Sequence, residues 1–328
     1  MSVAFLAPAV LHADPVADFY RDKTVSITVP GGPGASLALY CQLIAAHWKR
    51  HIPGNPTLMC QHRPGAGGTL GAAYMYNVAP RDGTAIGEIQ SASVLAPALR
   101  KMKFDVKKFV WLGSMTSEPS VIAVWHKAPA TTVEGAKHVE VLMGSTGTSS
   151  ETYITPTLMN KLLGTKFRIV QGYTAGNINL AMERGEVHGR WSPWANWVSV
   201  HPDWVRDKWI VPLVQYGPKV AELPDVPYLK DLIPSDEGKQ MITFVELASQ
   251  VGKGFFLPPG VPADRVAALR ASFLATMKDE AFLAAAAKVN ADINPIAGEA
   301  LQKTVSRALT TPEPVLAKLR DYLGYQSQ

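Results

Sequence analysis

Two loops built from small residues are the segments of this sequence best suited to chemistry. The first occupies residues 30–36 and the second residues 144–150, and each joins a predicted strand to a predicted helix. Free backbone N–H groups at a helix start, with hydroxyls beside them, bind anions without a lysine or arginine. We interpret these segments as a first and a second cradle loop, each able to hold a carboxylate. The residues predicted to bind are Gly32, Pro33, Gly34, Ala35, Ser36, Ser145, Thr146, Thr148, Ser149 and Ser150.

Plain helix capping is the alternative interpretation of both loops. In that case Ser36 or Ser149 accepts a hydrogen bond from its own helix and binds nothing else. The run of hydroxyl residues in the second cradle loop favours binding, because a cap requires only one hydroxyl. Pro156 allows two starting points for the helix that follows the second cradle loop. The helix begins at this proline with Thr155 as its cap, or it begins at Ser149 and contains the proline.

Side chains at the ends of two other predicted strands extend the candidate site. Ser91 and Ser93 follow one strand, and Arg190 and Trp191 end another. Open α/β sheets bind ligands in the crevice beyond the carboxyl ends of their strands. These four residues are therefore predicted to contact the ligand.

Arg190 and Trp191 each have an alternative role. Arg190 pairs with a ligand carboxylate, or with Glu183 or Glu186 on the preceding turn. Trp191 lies near the crevice, or it stacks in the core with the two tryptophans that follow it at three-residue spacing.

No catalytic, cofactor or metal signature accompanies these loops. The segment Gly32-Pro33-Gly34 lacks the third glycine of a dinucleotide fingerprint, because Leu37 occupies that position. The eight histidines stand singly, and no nucleophile elbow, Walker sequence or HExxH pattern occurs. We therefore predict no catalytic residues, no cofactor and no metal site. Cys41 and Cys60 lack the spacing of a zinc or redox site. A single disulfide is one possibility, but free cysteines often serve as small hydrophobic residues, which favours two buried thiols.

Composition indicates a globular protein. Hydrophobic residues make up 47% of the chain and charged residues 18%, and no apolar run approaches the length of a membrane span. The net charge of +5 is spread along the sequence, which excludes a basic arm for nucleic acid. Residues 1–13 are small and apolar and resemble the end of a secretory signal. A disordered N-terminal arm is the alternative.

Strands and helices alternate at short spacing, which is typical of βαβ units. The pattern restarts after Pro119, and only helices are predicted from Pro262 onward. A helical tail with a single strand cannot form a domain alone, so we expect it to pack on the first unit. The predicted parts are an arm or signal remnant at residues 1–23, a discontinuous first domain at residues 24–125 and 245–328, and a second domain at residues 126–244. The predicted strands occupy residues 24–29, 57–61, 84–89, 120–125, 139–143, 168–170, 187–191, 210–215 and 254–257.

Several sequence motifs carry a family resemblance. They are TVSITVPGGPGAS, HIPGNPTLMCQHRPGAGGTLGA, NVAPRDGTAIG, GSTGTSSETY, AMERGEV and ELPDVPYL. With these motifs the chain resembles the extracytoplasmic solute receptors of tripartite tricarboxylate transporters, also called Bug proteins. The resemblance runs from about Thr24 to Tyr322.

The resemblance implies an α/β protein with a type II periplasmic binding protein fold, two α/β domains with a ligand cleft between them. In such receptors a ligand carboxylate sits between the loops that match the two cradle loops. The sequence departs from the family pattern at two positions, so the resemblance does not identify the ligand. Ala38 stands where many members have an aspartate, and Val251-Gly252-Lys253-Gly254 stands where many have a tryptophan. The missing aspartate favours a carboxylate ligand with an otherwise apolar or aromatic body.

We therefore expect a monomeric periplasmic receptor that binds a small carboxylate, aromatic or dicarboxylate, and that is not an enzyme. The expected partners are this carboxylate and the membrane permease subunits of the transporter, and no nucleic acid. The alternative is an α/β enzyme or a sensory binding domain acting on an acidic metabolite. An enzyme needs a titratable group aimed into the cleft, whereas the loops offer hydroxyls and amides.

Overall fold

The structure, a computed structural model, describes residues 14–33 and 36–325. The signal-like residues 1–13 and two residues of the first cradle loop, Gly34 and Ala35, lie outside the described residues. The strands are β1 (Thr24–Val29), β2 (Thr57–His62), β3 (Ala85–Glu88), β4 (Val110–Ser114), β5 (Ser120–Trp125), β6 (Val141–Gly144), β7 (Phe167–Val170), β8 (Gly189–Pro193), β9 (Ile210–Tyr216), β10 (Gly254–Leu257) and β11 (Ile296–Ala297).

Helices cover both sheets. They are α1 (Pro15–Tyr20), α2 (Ser36–Trp48), α3 (Thr69–Asn77), α4 (Ala96–Leu99), α5 (Val133–Ala136), α6 (Glu151–Leu163), α7 (Ala175–Glu183), α8 (Trp194–Val200), α9 (Pro202–Arg206), α10 (Asp236–Val251), α11 (Ala263–Thr276), α12 (Glu280–Lys288), α13 (Gly298–Ala308) and α14 (Glu313–Tyr322). None of these described helices combines the length and the apolar character that crossing a membrane requires.

The first sheet has the strand order β11-β4-β10-β3-β1-β2. Strands β2, β1 and β3 pair in parallel, and β10 runs antiparallel between β3 and β4. Helix α2 packs on this sheet because Leu37, Cys41, Ile44 and Trp48 form one buried stripe, as their spacing predicts. The Trp48 ring lies 5.5 Å from the ring of Phe273 on α11. This core fixes the direction of α2, whose first turn points at the first cradle loop.

The second sheet has the strand order β7-β6-β8-β5-β9. Strands β7, β6 and β8 are parallel, and β5 runs antiparallel between β8 and β9. The predicted first domain extended to residue 125, but β5 pairs only with strands of the second sheet. The chain therefore leaves the first sheet at residues 115–119, before β5.

The chain returns to the first sheet through α10, which the sequence analysis missed. Met241, Phe244, Val245 and Ala248 recur at helical spacing after the capping residue Ser235, and all four are buried. Helix α10 contacts α13 and α14, so the predicted boundary at residue 245 falls inside a helix that packs on the C-terminal region. Strands β4 and β11 were also missed, and β11 corrects the expectation of an all-helical tail.

The N-terminal arm predicted over residues 1–23 includes helix α1. Tyr20 is fully buried, and its hydroxyl donates to the Gly83 carbonyl at 3.2 Å. The ring of Phe19 lies 3.5 Å from the Arg265 guanidinium on α11. Residues 15–20 are thus part of the folded first unit.

A disulfide joins Cys41 on α2 to Cys60 on β2, with 6.2 Å between the Cα atoms. The favoured expectation of two buried thiols was therefore wrong. The sequence offered no means to decide, because pairing depends on the distance between a helix and a strand. The bond ties the helix that begins in the first cradle loop to the edge strand of its own sheet.

Removing this disulfide is expected to lower the free energy of unfolding by about 3 kcal/mol, because the bond closes a loop of about 20 residues in the unfolded chain. Guanidinium denaturation of the Cys41→Ala/Cys60→Ala double variant, followed by circular dichroism, measures the change. The wild type under reducing conditions serves as the control and should show a similar loss. An unchanged midpoint in both experiments would contradict the assignment.

Candidate functional site

A cleft of about 860 Å³ lies between the two sheets. Its walls come from the segments that follow the carboxyl ends of β1 and β3 in the first sheet and of β6 and β8 in the second. Both cradle loops contribute to it, together with the N-terminus of α7. Parallel strands direct their following loops to one edge of a sheet, so the topology itself assembles this cleft.

The first cradle loop lines the cleft with Gly32, Pro33 and Ser36. Ser36 is the first residue of α2, a helix of 13 residues whose N-terminus faces the cavity. The imidazole Nδ1 of His62 lies 2.8 Å from the Gly31 carbonyl oxygen and holds the loop to β2. The positive end of the helix dipole is thus directed at the cavity.

The second cradle loop leads into α6, which begins at Glu151. Ser150 is the capping residue, because its hydroxyl accepts from the Thr152 N–H at 3.2 Å. Pro156 lies inside the helix, as the second alternative predicted, but the helix begins at Glu151 and not at Ser149. Ser149, the cap considered from sequence, accepts a hydrogen bond from the Arg100 guanidinium.

Several hydroxyls of the second cradle loop are engaged within the loop itself. The Thr152 hydroxyl lies 3.2 Å from the Ser145 hydroxyl and 2.8 Å from the Ser150 hydroxyl, and it accepts from the Thr146 N–H at 3.0 Å. Ser145 is fully buried. Only Thr146, Ser149 and Ser150 of the predicted binding residues in this loop line the cleft.

Ser145 and Thr148 are therefore corrected from ligand contacts to structural residues. Ser145 accepts from the Gly147 N–H at 3.1 Å, and the Thr148 carbonyl accepts from the Tyr325 hydroxyl. The backbone N–H groups of Thr148 and Ser149 have no acceptor in the part of the chain that the structure describes. Amides, more than hydroxyls, are what this loop offers to an anion.

Replacing Ser150 with alanine is expected to lower the free energy of unfolding by about 1 kcal/mol, because the helix loses its capping hydroxyl. Ser117→Ala is the control, since Ser117 lies in the loop between β4 and β5 and its hydroxyl caps no helix, and it should melt near the wild-type temperature. Thermal unfolding of the two variants measures the difference. Equal melting temperatures would show that the Ser150 hydroxyl does not act as a cap.

Arg190 is a buried cation on the cleft wall. It is 4% exposed and lines the cavity. Its guanidinium donates to the carbonyl of Trp191 and to Asn179 Oδ1, both at 2.9 Å, and to the Ala175 carbonyl. Among the described residues no carboxylate lies within ion-pair distance, so pairing with Glu183 or Glu186 does not occur. Burial lowers the pKa of Arg190 to about 10, which leaves it charged at neutral pH.

The three tryptophans divide between the cleft and the core. Trp191 on β8 and Trp197 on α8 line the cavity, whereas Trp194 packs in the core of the second sheet. The Trp197 ring lies 5.8 Å from the Arg190 guanidinium. Trp191 therefore lies at the crevice, the first of its two predicted roles, and it does not stack with the other two rings. The rings of Trp191 and Trp197 give the cleft an apolar wall beside its cation.

Ser91 and Ser93 do not reach the cleft, which corrects their predicted role. The Ser91 hydroxyl donates to Glu151 Oε1 at 3.3 Å, and the Ser93 hydroxyl donates to the Gly67 carbonyl at 3.0 Å. Their neighbours Gln90 and Ala92 line the cavity instead. The short 3₁₀ turn at Ser91–Val94 rotates the serines away from the cleft, which strand periodicity alone does not anticipate.

Comparison with known proteins decides the family. Residues 45–309 match the sequence profile of the tripartite tricarboxylate transporter family receptor. The chain belongs to this family. A UPF0065 protein of Bordetella bronchiseptica is 24% identical over 156 residues, 46% of either chain, so the match spans about half the length of that curated relative.

Solved structures show the fold of the receptor. It is similar to the periplasmic binding protein BugD, with a TM-score of 0.71, 19% identity, and coverage of 94% of this chain and 100% of that one. It is also similar to MatC of Rhodopseudomonas palustris with bound malate, with a TM-score of 0.68, 20% identity, and coverage of 92% and 99%. The predicted type II periplasmic binding protein architecture is confirmed.

Sequence reasoning missed an ion pair on the receptor's cleft wall. Lys253 Nζ and the Glu118 carboxylate lie 2.6 Å apart and are both largely buried. Glu118 lies in residues 115–119 and Lys253 in residues 249–253. In these two segments, here called the crossing segments, the chain passes between the two sheets, and they are hydrogen-bonded to each other. The ammonium also lies 5.2 Å from the ring centre of Tyr40 on α2. Lys253 lies directly before the buried strand β10. A lysine at the start of a buried strand was the sequence signal that could have indicated a buried ion pair.

Two further carboxyl groups near this pair were also missed. Glu88 ends β3, and neither of its carboxyl oxygens has a hydrogen-bond partner within the described chain. Burial raises the pKa of Glu88 well above its usual value, although the nearby Lys253 charge acts in the opposite direction. Glu151 lines the cleft at the start of α6. Burial, aided by the Glu118 charge, raises the pKa of Glu151 to about 7.

Proposed function

We propose that this receptor captures a small carboxylate in the cleft between its two sheets and delivers it to the membrane subunits of a tripartite tricarboxylate-type transporter. The observation that carries the proposal is Arg190, a buried cation on the cleft wall without a carboxylate partner among the described residues. A buried charge is costly unless it is paired, so a ligand anion is its natural counterion.

The polar groups around the cavity support the same ligand class. The helices α2, α6 and α7 all begin at the cleft, and their N-termini favour negative charge. The amide of Ser149, which lines the cleft, adds a donor that no described acceptor uses. These groups lie on both sheets, so one carboxylate can be held between them.

The remaining walls suit an apolar or aromatic ligand body. Leu37, Tyr40, Trp191 and Trp197 line the cavity. An aromatic or aliphatic acid, with one or two carboxylates, matches this surface. The family membership and the likeness to periplasmic binding proteins support a periplasmic location and a partnership with membrane permease subunits. A monomeric receptor is part of the same proposal.

Isothermal titration with malate, adipate, benzoate and citrate tests the proposal. Benzamide and adipamide serve as matched neutral controls, because they retain the shape of the acids and lack the charge. We expect at least one acid to bind with a Kd of 100 μM or tighter, on the order of −5.5 kcal/mol, and neither amide to bind. NMR of the mixtures after incubation should show the acids unchanged. Turnover of an acid, or equal binding of acids and amides, would contradict a carboxylate receptor.

A further inference from the structure

Glu151 places a carboxyl group at the point where the second cradle loop meets the cleft. It is the first residue of α6, it is 1% exposed, and it lines the cavity beside Ser149, Ser150 and Thr152. Its Oε1 accepts from the Ser91 hydroxyl at 3.3 Å, a contact between the two units. An anion held by the amides of this loop would lie within a few ångströms of a second acidic group.

The charged and titratable groups around Glu151 come from several elements. Glu118 approaches from the first crossing segment and disfavours a second negative charge, whereas Lys253 from the other crossing segment favours it. Tyr216, at the end of β9, is fully buried and stays protonated, because burial raises its pKa well above the usual value. Arg190 on β8 lines the same cavity. The ammonium of Lys253 is already engaged by Glu118 at 2.6 Å.

We propose that Glu151 is a ligand-contacting, specificity-determining residue whose protonated carboxyl donates a hydrogen bond to the bound carboxylate, so that binding takes up one proton. This inference rests on the proposed carboxylate-binding function. Two carboxyl groups that share a poorly solvated site repel each other when both are ionised. Such a pair therefore holds one proton between its two members. The proton comes from solvent, and no covalent bond of the ligand changes.

The sign of the pH dependence follows from this coupling. Burial raises the pKa of Glu151 to about 7 in the free protein, so the carboxyl is mainly neutral at pH 6 and mainly ionised at pH 8. Because the complex requires the neutral form, affinity is full below pH 7 and falls as pH rises through that value. The loss between pH 6 and pH 8 should be about tenfold.

Titration calorimetry with benzoate and adipate at pH 6 and pH 8, in two buffers of different ionisation enthalpy, tests the inference. For the wild type we expect Kd about tenfold weaker at pH 8, and an uptake at pH 8 of close to one proton per ligand. Glu151→Gln keeps a hydrogen-bond donor, so it should bind with the same Kd at both values and take up no proton. Glu140→Gln, a change of an exposed carboxylate on the second unit, should behave as the wild type.

Each outcome decides the matter. If either acid binds with a pH-independent Kd and no proton uptake by the wild type, the role of Glu151 is overturned and the receptor function stands. Proton uptake that persists in Glu151→Gln assigns it to another group and also overturns the inference. If Glu151→Gln does not fold, the proton count of the wild type still decides. If none of malate, adipate, benzoate and citrate binds at either pH, this inference and the proposed function fail together.

Discussion

Replacing Arg190 with glutamine is expected to weaken carboxylate binding by about 30-fold or more. Arg190 is 4% exposed, it lines the cleft, and no described carboxylate neutralises it. Loss of one partner of a buried, hydrogen-bonded charge pair costs about 2 to 5 kcal/mol in binding, and about 2 kcal/mol corresponds to 30-fold. Isothermal titration with the tightest-binding acid of malate, adipate, benzoate and citrate measures the effect.

Two control variants separate binding from stability in this experiment. Arg190 also holds Ala175 and Asn179 on α7 through its hydrogen bonds, so the melting temperature is measured beside the affinity. Arg190→Lys keeps the charge without the planar fork and should bind with intermediate affinity. Arg168→Gln removes an exposed arginine that pairs with Glu140 and should bind as the wild type. Wild-type affinity in a folded Arg190→Gln variant would contradict a role for Arg190 in binding.

Replacing Gly252 with alanine is expected to lower the free energy of unfolding by about 4 kcal/mol, the largest stability effect that we predict. Gly252 follows α10 in a crossing segment with φ +48°, a conformation that other residues adopt only with strain. An added Cβ would lie 2.0 Å from the Thr116 carbonyl oxygen and 2.9 Å from the Ser117 Cα. Both contacts are backbone atoms of the other crossing segment, so neither can rotate away.

Gly164 provides a matched control for this change. It also ends a helix, α6, and has φ +77°, but an added Cβ meets nothing within 4 Å. Gly164→Ala should therefore cost only the conformational strain, about 1 kcal/mol. Urea denaturation of both variants gives the comparison. Similar losses at the two positions would show that close approach of the crossing segments does not constrain Gly252.

The sequence was most informative where one short-range signal determined the structure. Apolar periodicity placed α2, and runs of β-branched residues placed β1 and β5. Helix α10 has the same apolar periodicity and was not predicted, although Met241, Phe244, Val245 and Ala248 lie at helical spacing. The two cradle loops were located correctly, since small residues between a strand and a helix are a local pattern.

The parts that failed depend on contacts between distant segments. Whether a serine side chain lies in the cleft or bonds inside the protein depends on the local turn, which separated Ser91 and Ser145 from Ser149 and Ser150. The pairing of Lys253 with Glu118 joins residues that the chain brings together only after two crossings between the sheets. The disulfide likewise required the distance between α2 and β2. Sequence spacing contains none of these distances.

A crystal structure of the receptor with the tightest-binding of the four acids tests the central claim most directly. We predict that one ligand carboxylate lies in the cleft, within hydrogen-bond distance of the Arg190 guanidinium and of the Ser149 amide. The ligand body should contact the rings of Trp191 or Trp197. A ligand bound outside the cleft, or a carboxylate that contacts neither Arg190 nor the second cradle loop, would contradict the claim.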